Sequence, residues 1–557
     1  MGHWSLCAVA EPIASRVRHG GLVHGIELID NAAFSISPAE TAAMDPQQRL
    51  LLEQGYSAMH EARMGRAMLS GSLTGIFLGF SGSEFSQVLA ASPAGSSVYS
   101  ATGSASSIAS GRLSYILGLH GPCASYDTAC SAALAASHAG KRSLELEECT
   151  AGMVAGVSLM LAPGVSESFA IAGMTSPHGR SHTFDARADG YARGEACCAA
   201  ALRPLRDDSS ALDVGGSAVR QDGRSASLTA PNGQAQQGVL IAAMSDAGTL
   251  ATALKVNEAH GTGTALGDPI EAGSLVAAVL ARRGPSVEPL LIGGVKANIG
   301  HAEPAAGMTG LLKLAPCLRA GEGAPNGQLR LLNPHLVGAL HGAGCALSTH
   351  LSSAAVGDGA VCDGGVSSFG YSGTIVHALL CARDAGSGAG TLRGGGDGGA
   401  GMLRAALVYR RRFFGWRSAQ VIEPSLFYPS RMYDLVWVAM PTGTSPSTCC
   451  RIGVGACCLW SSSAAGPAGR SFVAAASCVY HIVAVLLSGA ISAAPALCDL
   501  ELVFMFAKPL IFQPHPLCLL LLTRGVHRHS PLTIATASSN SAQGGCLGFT
   551  RVLRLEK

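Results

Sequence analysis

An α/β fold is predicted by two observations. Apolar runs of strand length alternate with longer stretches of helix-forming residues, and a glycine-dense segment centred near residue 395 separates that pattern from the rest of the chain. Taken in order, 47–61 follows Asp45-Pro46, spaces its leucines and Met59 among polar residues, and reads as a helix. Residues 74–80 form a short apolar run and read as a buried strand. Residues 131–144 are rich in alanine and leucine, without proline and without glycine before Gly140, which is strong helix propensity. Segments 153–161 and 199–205 read as buried strands. Segments 269–282 and 304–319 each open on a proline and read as helices, with 291–295 a strand between them. Residues 374–380 close the pattern as a strand. No internal repeat is visible.

Composition narrows the function class. The chain has 557 residues, enough for more than one domain, and a net charge of +2, so nucleic acid is not an expected partner. Its 18 cysteines follow no regular framework. The doublets Cys449-Cys450 and Cys457-Cys458 lack zinc-ligand spacing, and no metal is expected. Residues 472–498 and 517–522 are the most apolar stretches; they read as a buried helix with a following strand rather than a membrane span, and no secretory signal is evident.

Chemistry concentrates in three places. Cys130 lies in Tyr126-Asp127-Thr128-Ala129-Cys130-Ser131, at the start of the alanine-rich helix, with Asp127 and Thr128 as candidate caps. A helix N-terminus lowers a thiol pKa and offers N–H groups to an oxyanion. His260 and His301 each sit among small residues, in Glu258-Ala259-His260-Gly261-Thr262-Gly263-Thr264 and Lys296-Ala297-Asn298-Ile299-Gly300-His301. Such loops admit a long, thin substrate arm. A cysteine protease needs one histidine and an orienting partner, so two histidines point elsewhere. A thiol needed in the free state also points to a reducing compartment, with the cytoplasm as the expectation.

These motifs resemble the ketosynthase domain of modular type I polyketide synthases, within the thiolase-like condensing enzymes. The resemblance runs in order through Met44-Asp45-Pro46-Gln47-Gln48-Arg49, Asp127 to Ser131, Ala188-Asp189-Gly190-Tyr191 with Arg193-Gly194-Glu195, Glu258 to Thr264 with Gly267-Asp268-Pro269-Ile270-Glu271, Lys296 to His301, and Ser367-Ser368-Phe369-Gly370-Tyr371-Ser372-Gly373-Thr374. It implies a duplicated, five-layered α-β-α-β-α fold that pairs as a homodimer. It also implies an acyltransferase that elongates a polyketide or fatty-acid-type chain by decarboxylative Claisen condensation. Cys130 would carry the acyl group; His260 and His301 would serve the malonyl-type extender; Lys296 would order the polar cluster. The backbone N–H groups of Cys130 and Tyr371 would hold the oxyanion, and Thr262 and Thr264 would contact a phosphopantetheine arm. No cofactor is bound: the arm arrives on an acyl carrier protein. Two departures stand out. Ile375 and Val376 replace the family's Asn and Ala, and the family's first core strand has no counterpart ahead of Val17. A non-elongating or degraded member that transfers acyl groups or acts as a structural partner is the alternative; a cysteine hydrolase has no support near Cys130.

The expected organisation is a ketosynthase domain over 1–382, a glycine-rich linker over 383–405, and a post-ketosynthase linker with a partial structural subdomain over 406–557. In that last part Tyr409-Arg410-Arg411-Arg412-Phe413 and Trp416 resemble the strip that packs back on a ketosynthase. Met432 to Trp437 and Gly548 to Glu556 resemble the ends of a ketoreductase's non-catalytic half; the chain stops before a dinucleotide fingerprint, so no reductase activity is expected. No Gly-x-Ser-x-Gly elbow occurs, so the acyltransferase and the loaded carrier are expected in trans.

Overall fold

Strand-length runs and helical stretches resolve, in the first 382 residues, into two main sheets packed with helices. The computed structural model describes residues 9–205, 212–353, 362–382 and 407–415, and the backbone of 457–461, 482–487 and 518–523. The chain divides into one unit over 1–426 and another over 427–557.

The first sheet of the larger unit holds β1 (Thr74–Gly79), β2 (Cys123–Tyr126), β3 (Ala151–Ser158) and β4 (Ala196–Leu202), in the spatial order β2-β1-β3-β4. β1 is parallel to β2 and β3, and β4 is antiparallel to β3. The second sheet holds β5 (Asp213–Gln221), β6 (Leu254–Glu258), β7 (Leu290–Gly293), β8 (Cys345–Leu347), β9 (Cys362–Phe369) and β10 (Thr374–Ala382), ordered β8-β7-β6-β9-β10-β5. Its stretch β7-β6-β9-β10 repeats the parallel, parallel, antiparallel pattern of β2-β1-β3-β4. The duplication is one of topology and leaves no repeat in the sequence. β5 pairs with the outer edge of β10; among the described residues no strand of the first sheet pairs with the outer edge of β4.

Strand alternation sorts side chains into layers. Ile76 and Leu78 of β1 face outward to α1 (Pro46–Glu61) and α2 (Ser106–Leu117), in a core with Leu51, Leu52, Leu113 and Met153. Phe77, between them, faces inward to α3 (Ala132–Glu145). On the far side, Leu254, Ile292 and Leu379 pack against α4 (Gly233–Ala247) and α5 (Gly267–Ala278) through Leu240, Met244 and Leu275. α6 (Ala306–Ala320) lies with α3 between the sheets: Met308, Leu311 and Leu314 share a cluster with Ala133, Leu134, Val366 and Val376. The result is the five-layered, thiolase-like α-β-α-β-α arrangement. Burying these apolar side chains contributes roughly 1.5–3 kcal/mol each.

Two elements escape the hydrophobic pattern. β5 reads Asp-Val-Gly-Gly-Ser-Ala, which looks like a loop, yet a Cβ on Gly216 would meet the backbone nitrogen of Ala247 at 2.5 Å, so close packing of α4 dictates the glycine. α4 itself is capped by Asn232, whose side chain accepts from the N–H groups of Gln234 and Ala235.

Residues 407–415 belong to the larger unit. The Arg410 N–H donates to Asp30 at 2.6 Å, Arg411 Nε to Glu53 at 2.8 Å, and Tyr409 stacks on Phe34. Trp416 and the segments near Met432 and Gly548 fall outside the described residues. In the smaller unit Cys457–Ser461, Ile482–Leu487 and Cys518–Thr523 form a parallel three-stranded sheet in that order. Residues 482–487 are therefore strand, where the long apolar stretch predicts a helix; the run Ile482-Val483-Ala484-Val485 is rich in β-branched residues. Among the described residues no helix is long and apolar enough to cross a membrane, and no group of three His, Cys, Asp or Glu is placed to hold a metal.

Candidate active site

The loop that carries Cys130 is a sharp elbow between β2 and α3. Ala129 adopts φ 53°, a left-handed conformation costly for a residue with a Cβ. α3 can start this close to the sheet because Gly79 ends β1: a Cβ there would lie 2.3 Å from the Ala133 nitrogen. The expected caps take other roles. Ser131 is the N-cap and gives no side-chain cap bond. Asp127 accepts from the Ala129 N–H at 3.2 Å, and Thr128 and Ser131 exchange a hydroxyl bond at 2.8 Å.

The second sheet closes over this elbow. Ser368, in β9, donates to the Cys130 carbonyl at 2.7 Å. A Cβ on Gly370 would sit 2.3 Å from the Thr128 oxygen, so only glycine lets the two loops touch. The turn after Gly370 is held by backbone: Gly370 N–H donates to Thr374 O and Gly373 N–H to Gly370 O, each at 2.8 Å. An Asn side chain is not needed for this. Ile375 is instead buried against Ala218, Val239 and Phe369. The turn brings the Tyr371 N–H to the Cys130 sulfur, beside Cys130's own N–H.

Both histidines converge on the sulfur side of this closure. His301 Nε2 lies 3.1 Å from Cys130 Sγ, while its Nδ1 accepts from the Glu303 N–H at 3.2 Å. His260 Nδ1 accepts from the Phe369 N–H at 3.2 Å, and the two imidazoles stand edge to face at 5.7 Å. Because each Nδ1 accepts, each neutral ring carries its proton on Nε2. Burial lowers both imidazole pKa values well below the ordinary range, and the Lys296 ammonium acts in the same direction. Both rings are thus neutral Nε2–H donors.

The helix-start argument predicts a lowered thiol pKa for Cys130, and the structure reverses it. Burial pushes the thiol up to about 12, Glu303 adds to the rise, and Lys296 with the N–H groups of Tyr371 and Cys130 opposes it. Desolvation outweighs the helix terminus because the second half of the fold covers the elbow. Lys296 is buried at the start of a short helix, Lys296–Ile299. Among the described residues no carboxylate comes within ion-pair distance of it; Glu258 pairs with Lys313 at 2.6 Å. Glu258, Glu271 and Asp268 act on Lys296 through space, against a burial that lowers its pKa.

Several residues that the motifs do not explain hold the site in place. Glu271 accepts from the N–H groups of His260 at 2.6 Å and Gly261 at 2.8 Å. Asp268 accepts from Gly263 at 3.0 Å and Phe184 at 2.8 Å. These carboxylates pin the loop bearing Thr262 and Thr264, whose hydroxyls lie 3.3 Å apart. Burial pushes Glu271 up to about 7 and Asp268 to about 6. On the other side of Cys130, Arg193 binds Glu303 in two-pronged fashion at 2.6 and 2.7 Å and reaches Glu84 at 3.3 Å. Asp268 and Glu271 are legible as a motif, but their partners are backbone groups, which leave no mark on a sequence.

Comparison with known proteins supplies context for this geometry. Two family models match in succession: "Beta-ketoacyl synthase, N-terminal domain" over residues 4–208 and "Beta-ketoacyl synthase, C-terminal domain" over 213–330. A spectinabilin polyketide synthase system protein of Streptomyces orinoci is 41% identical over 374 residues, which is 66% of this chain and 16% of that protein. One component of the phenolphthiocerol/phthiocerol polyketide synthase of Mycobacterium tuberculosis is 41% identical over 384 residues, 67% of this chain and 20% of the relative. The chain thus spans no more than 20% of the length of these relatives. Among solved structures, a ketosynthase from module 6 of the bacillaene synthase of Bacillus subtilis 168 superposes with a TM-score of 0.61 at 32% identity, covering 65% of this chain and 64% of that one. An oxazolomycin ketosynthase domain of Streptomyces albus gives 0.60 at 29% identity, covering 66% and 64%.

Proposed function

The chain belongs to the beta-ketoacyl synthase family, and from that premise we propose that it elongates an acyl chain by decarboxylative condensation with a malonyl-type extender. The observation that carries the reading is the pair of neutral Nε2–H donors beside a buried thiol, one of them on the sulfur at 3.1 Å.

In the first half-reaction Cys130 Sγ attacks the thioester carbonyl of an acyl group on a phosphopantetheine arm. The Tyr371 and Cys130 N–H groups, already turned toward the sulfur, hold the oxyanion. The new bond is Sγ–C, the arm's S–C bond breaks, and the thiol proton ends on the arm's sulfur. In the second, His260 and His301 donate Nε2–H to the extender's thioester carbonyl. The carboxylate leaves as carbon dioxide, and its electron pair passes into an enolate that the two donors stabilise. The enolate carbon attacks the acyl–Cys130 carbonyl, the C–S bond breaks, and the released thiolate takes a proton from solvent. A thiol pushed up to about 12 favours that return to the neutral state. Burial keeps both rings unprotonated and Lys296 adds to it, and Thr262 and Thr264 line the approach of the arm.

The arm is supplied by an acyl carrier protein and loaded by an acyltransferase acting in trans. Pairing of two copies is part of the reading; β2 lies at the edge of its sheet, and among the described residues no strand pairs with its outer side. The partition into a ketosynthase domain (1–382), a linker (383–405) and a further partial α/β subdomain (406–557) is likewise proposed, as is a cytoplasmic setting.

The test is an assay with labelled malonyl-carrier and acyl-carrier substrates. A 3-ketoacyl-carrier product supports the reading. Carbon dioxide without a new carbon–carbon bond, or acyl transfer alone, identifies a non-elongating member. Release of free acid identifies a hydrolase.

A further inference from the structure

Resting on the reading of Cys130 as the acylated residue, a second observation concerns what the acyl group is. A cavity of about 170 Å³ adjoins the sulfur, and neither His260 nor His301 lines it. It is close to the volume of an engineered cavity of roughly 150 Å³ that holds one benzene, so it accommodates about four to six heavy atoms of an acyl chain. Apolar walls are expected for a hydrocarbon. Here Leu159, Val165, Phe169 and Tyr371 supply such a wall, and Gln47, Ser158, Glu84 and Arg193 interrupt it.

Their hydrogen-bonding capacity is unevenly used. Arg193 is satisfied by Glu303, Glu84 and the Ser166 hydroxyl at 2.5 Å. Glu84 also accepts from the N–H groups of Leu161 and Ala162. Ser158 and Gln47 differ. Both are almost wholly buried, at 3% and 4% exposure. Gln47 donates Nε2 to Asp45 at 3.2 Å, which leaves its side-chain carbonyl without a donor among the described residues. The Ser158 hydroxyl makes no hydrogen bond among them, and both residues line the cavity.

We propose that Ser158 and Gln47 form a polar acyl subsite that selects chains bearing a hydroxyl group over fully reduced chains of the same length. The complementarity is specific. An acyl hydroxyl can donate to the Gln47 carbonyl and accept from the Ser158 hydroxyl, whereas a methylene that displaces water from the cavity leaves both groups unpaired. A ketone accepts from Ser158 but gives nothing to Gln47, and so ranks between the two. The chain delivered to Cys130 is therefore the product of a preceding ketoreduction without dehydration.

The experiment measures the rate of Cys130 acylation by intact mass in the full chain. The probes are hexanoyl, 3-hydroxyhexanoyl, 5-hydroxyhexanoyl and 5-oxohexanoyl thioesters on one carrier protein. One hydroxy isomer is expected to acylate about tenfold faster than hexanoyl, the worth of one hydrogen bond regained by a buried group. The ratio is expected to fall toward one in Ser158→Ala and, independently, in Gln47→Met. Equal rates for all four chains in the unaltered protein, or a hydroxyl preference that survives both substitutions, would overturn the subsite. No acylation of Cys130 by any chain, in folded protein, would instead overturn the reading on which the subsite rests.

Discussion

The elbow that carries Cys130 is fixed by shape, whereas the loop that carries His260 is fixed by charge. Around the sulfur, Ala129 is held left-handed, and Gly79 and Gly370 permit backbone contacts that any Cβ would block. Around the imidazole, Glu271 and Asp268 gather backbone N–H groups from the loop that bears Thr262 and Thr264. The sulfur comes from the half of the fold built on the first sheet; both imidazoles and Lys296 come from the half built on the second. The division matches the two half-reactions except at His301, which touches the sulfur, so the sulfur and His260 should fail separately, and only the imidazole half should respond to pH near neutrality.

The largest effect expected is from Cys130→Ala. Self-acylation by an acyl-carrier thioester should vanish from the intact-mass spectrum, while malonyl-carrier decarboxylation continues, because the donors to the extender lie in the other half. Loss of both activities in a folded variant would show that the halves are not separable. Next come the histidines. His260→Ala should cut carbon dioxide release by about 10²–10³ and leave acylation within about threefold, the scale of losing one positioned donor to a developing oxyanion. His301→Ala should depress both steps, since its Nε2 touches the sulfur. Identical profiles for the two variants would contradict the geometry.

A smaller effect is expected from pH. Glu271 and Asp268 are pushed up to about 7 and about 6, so between those values and the ordinary carboxylate range the folded chain binds protons that the unfolded chain does not. In chemical denaturation, comparison with Glu271→Gln should therefore reveal a stabilising contribution that grows by about 1 kcal/mol as pH falls from 8 to 6, set against the buried histidines, which the unfolded chain protonates in that window and the folded chain does not. Over the same window the loop loses its ionised acceptors, and decarboxylation should fall about fivefold while acylation holds steady. The histidines stay neutral throughout, since burial keeps them well below this window. A decarboxylation rate flat from pH 8 to 6 would remove the carboxylates from the account. The smallest effect belongs to the elbow: Ala129→Gly should relieve the left-handed Cβ and stabilise the fold by about 1 kcal/mol in the same assay. A destabilised variant would mean that the elbow is not strained.

Much of this was legible in the residues. The helices predicted at 47–61 and 131–144 appear as Pro46–Glu61 and Ala132–Glu145, and the strand at 74–80 as Thr74–Gly79. The reason is that each carries its own local signal: a proline or cap at the start, a pattern of matching period, a composition that excludes the alternative. β5 carries no such signal, because its glycines answer to Ala247 and Cys381 across the fold. The site divides in the same way. Cys130, His260 and His301 announce themselves through their neighbours in sequence. Their protonation states do not, because desolvation depends on what covers a group. Cys130 is covered by Ser368, Gly370 and Tyr371, some 240 residues away along the chain. The tautomers of both rings are likewise set by backbone N–H groups, of Phe369 and Glu303, which every sequence possesses.

The burial that raises the Cys130 thiol also determines how the protein meets oxidants and alkylating reagents. Electrophiles that diffuse in from solvent react with thiolate, and a thiol held near 12 presents almost none at neutral pH. Cys123, on β2 only seven positions earlier, is exposed. A dye, a peroxide or a maleimide should therefore mark Cys123 of an unpaired copy long before Cys130. Reagents delivered on a carrier arm, which places its electrophile between the N–H groups at the elbow, should show the opposite preference. The site's protection and its selectivity would then have one origin: chemistry at the sulfur waits for a substrate that brings its own path in.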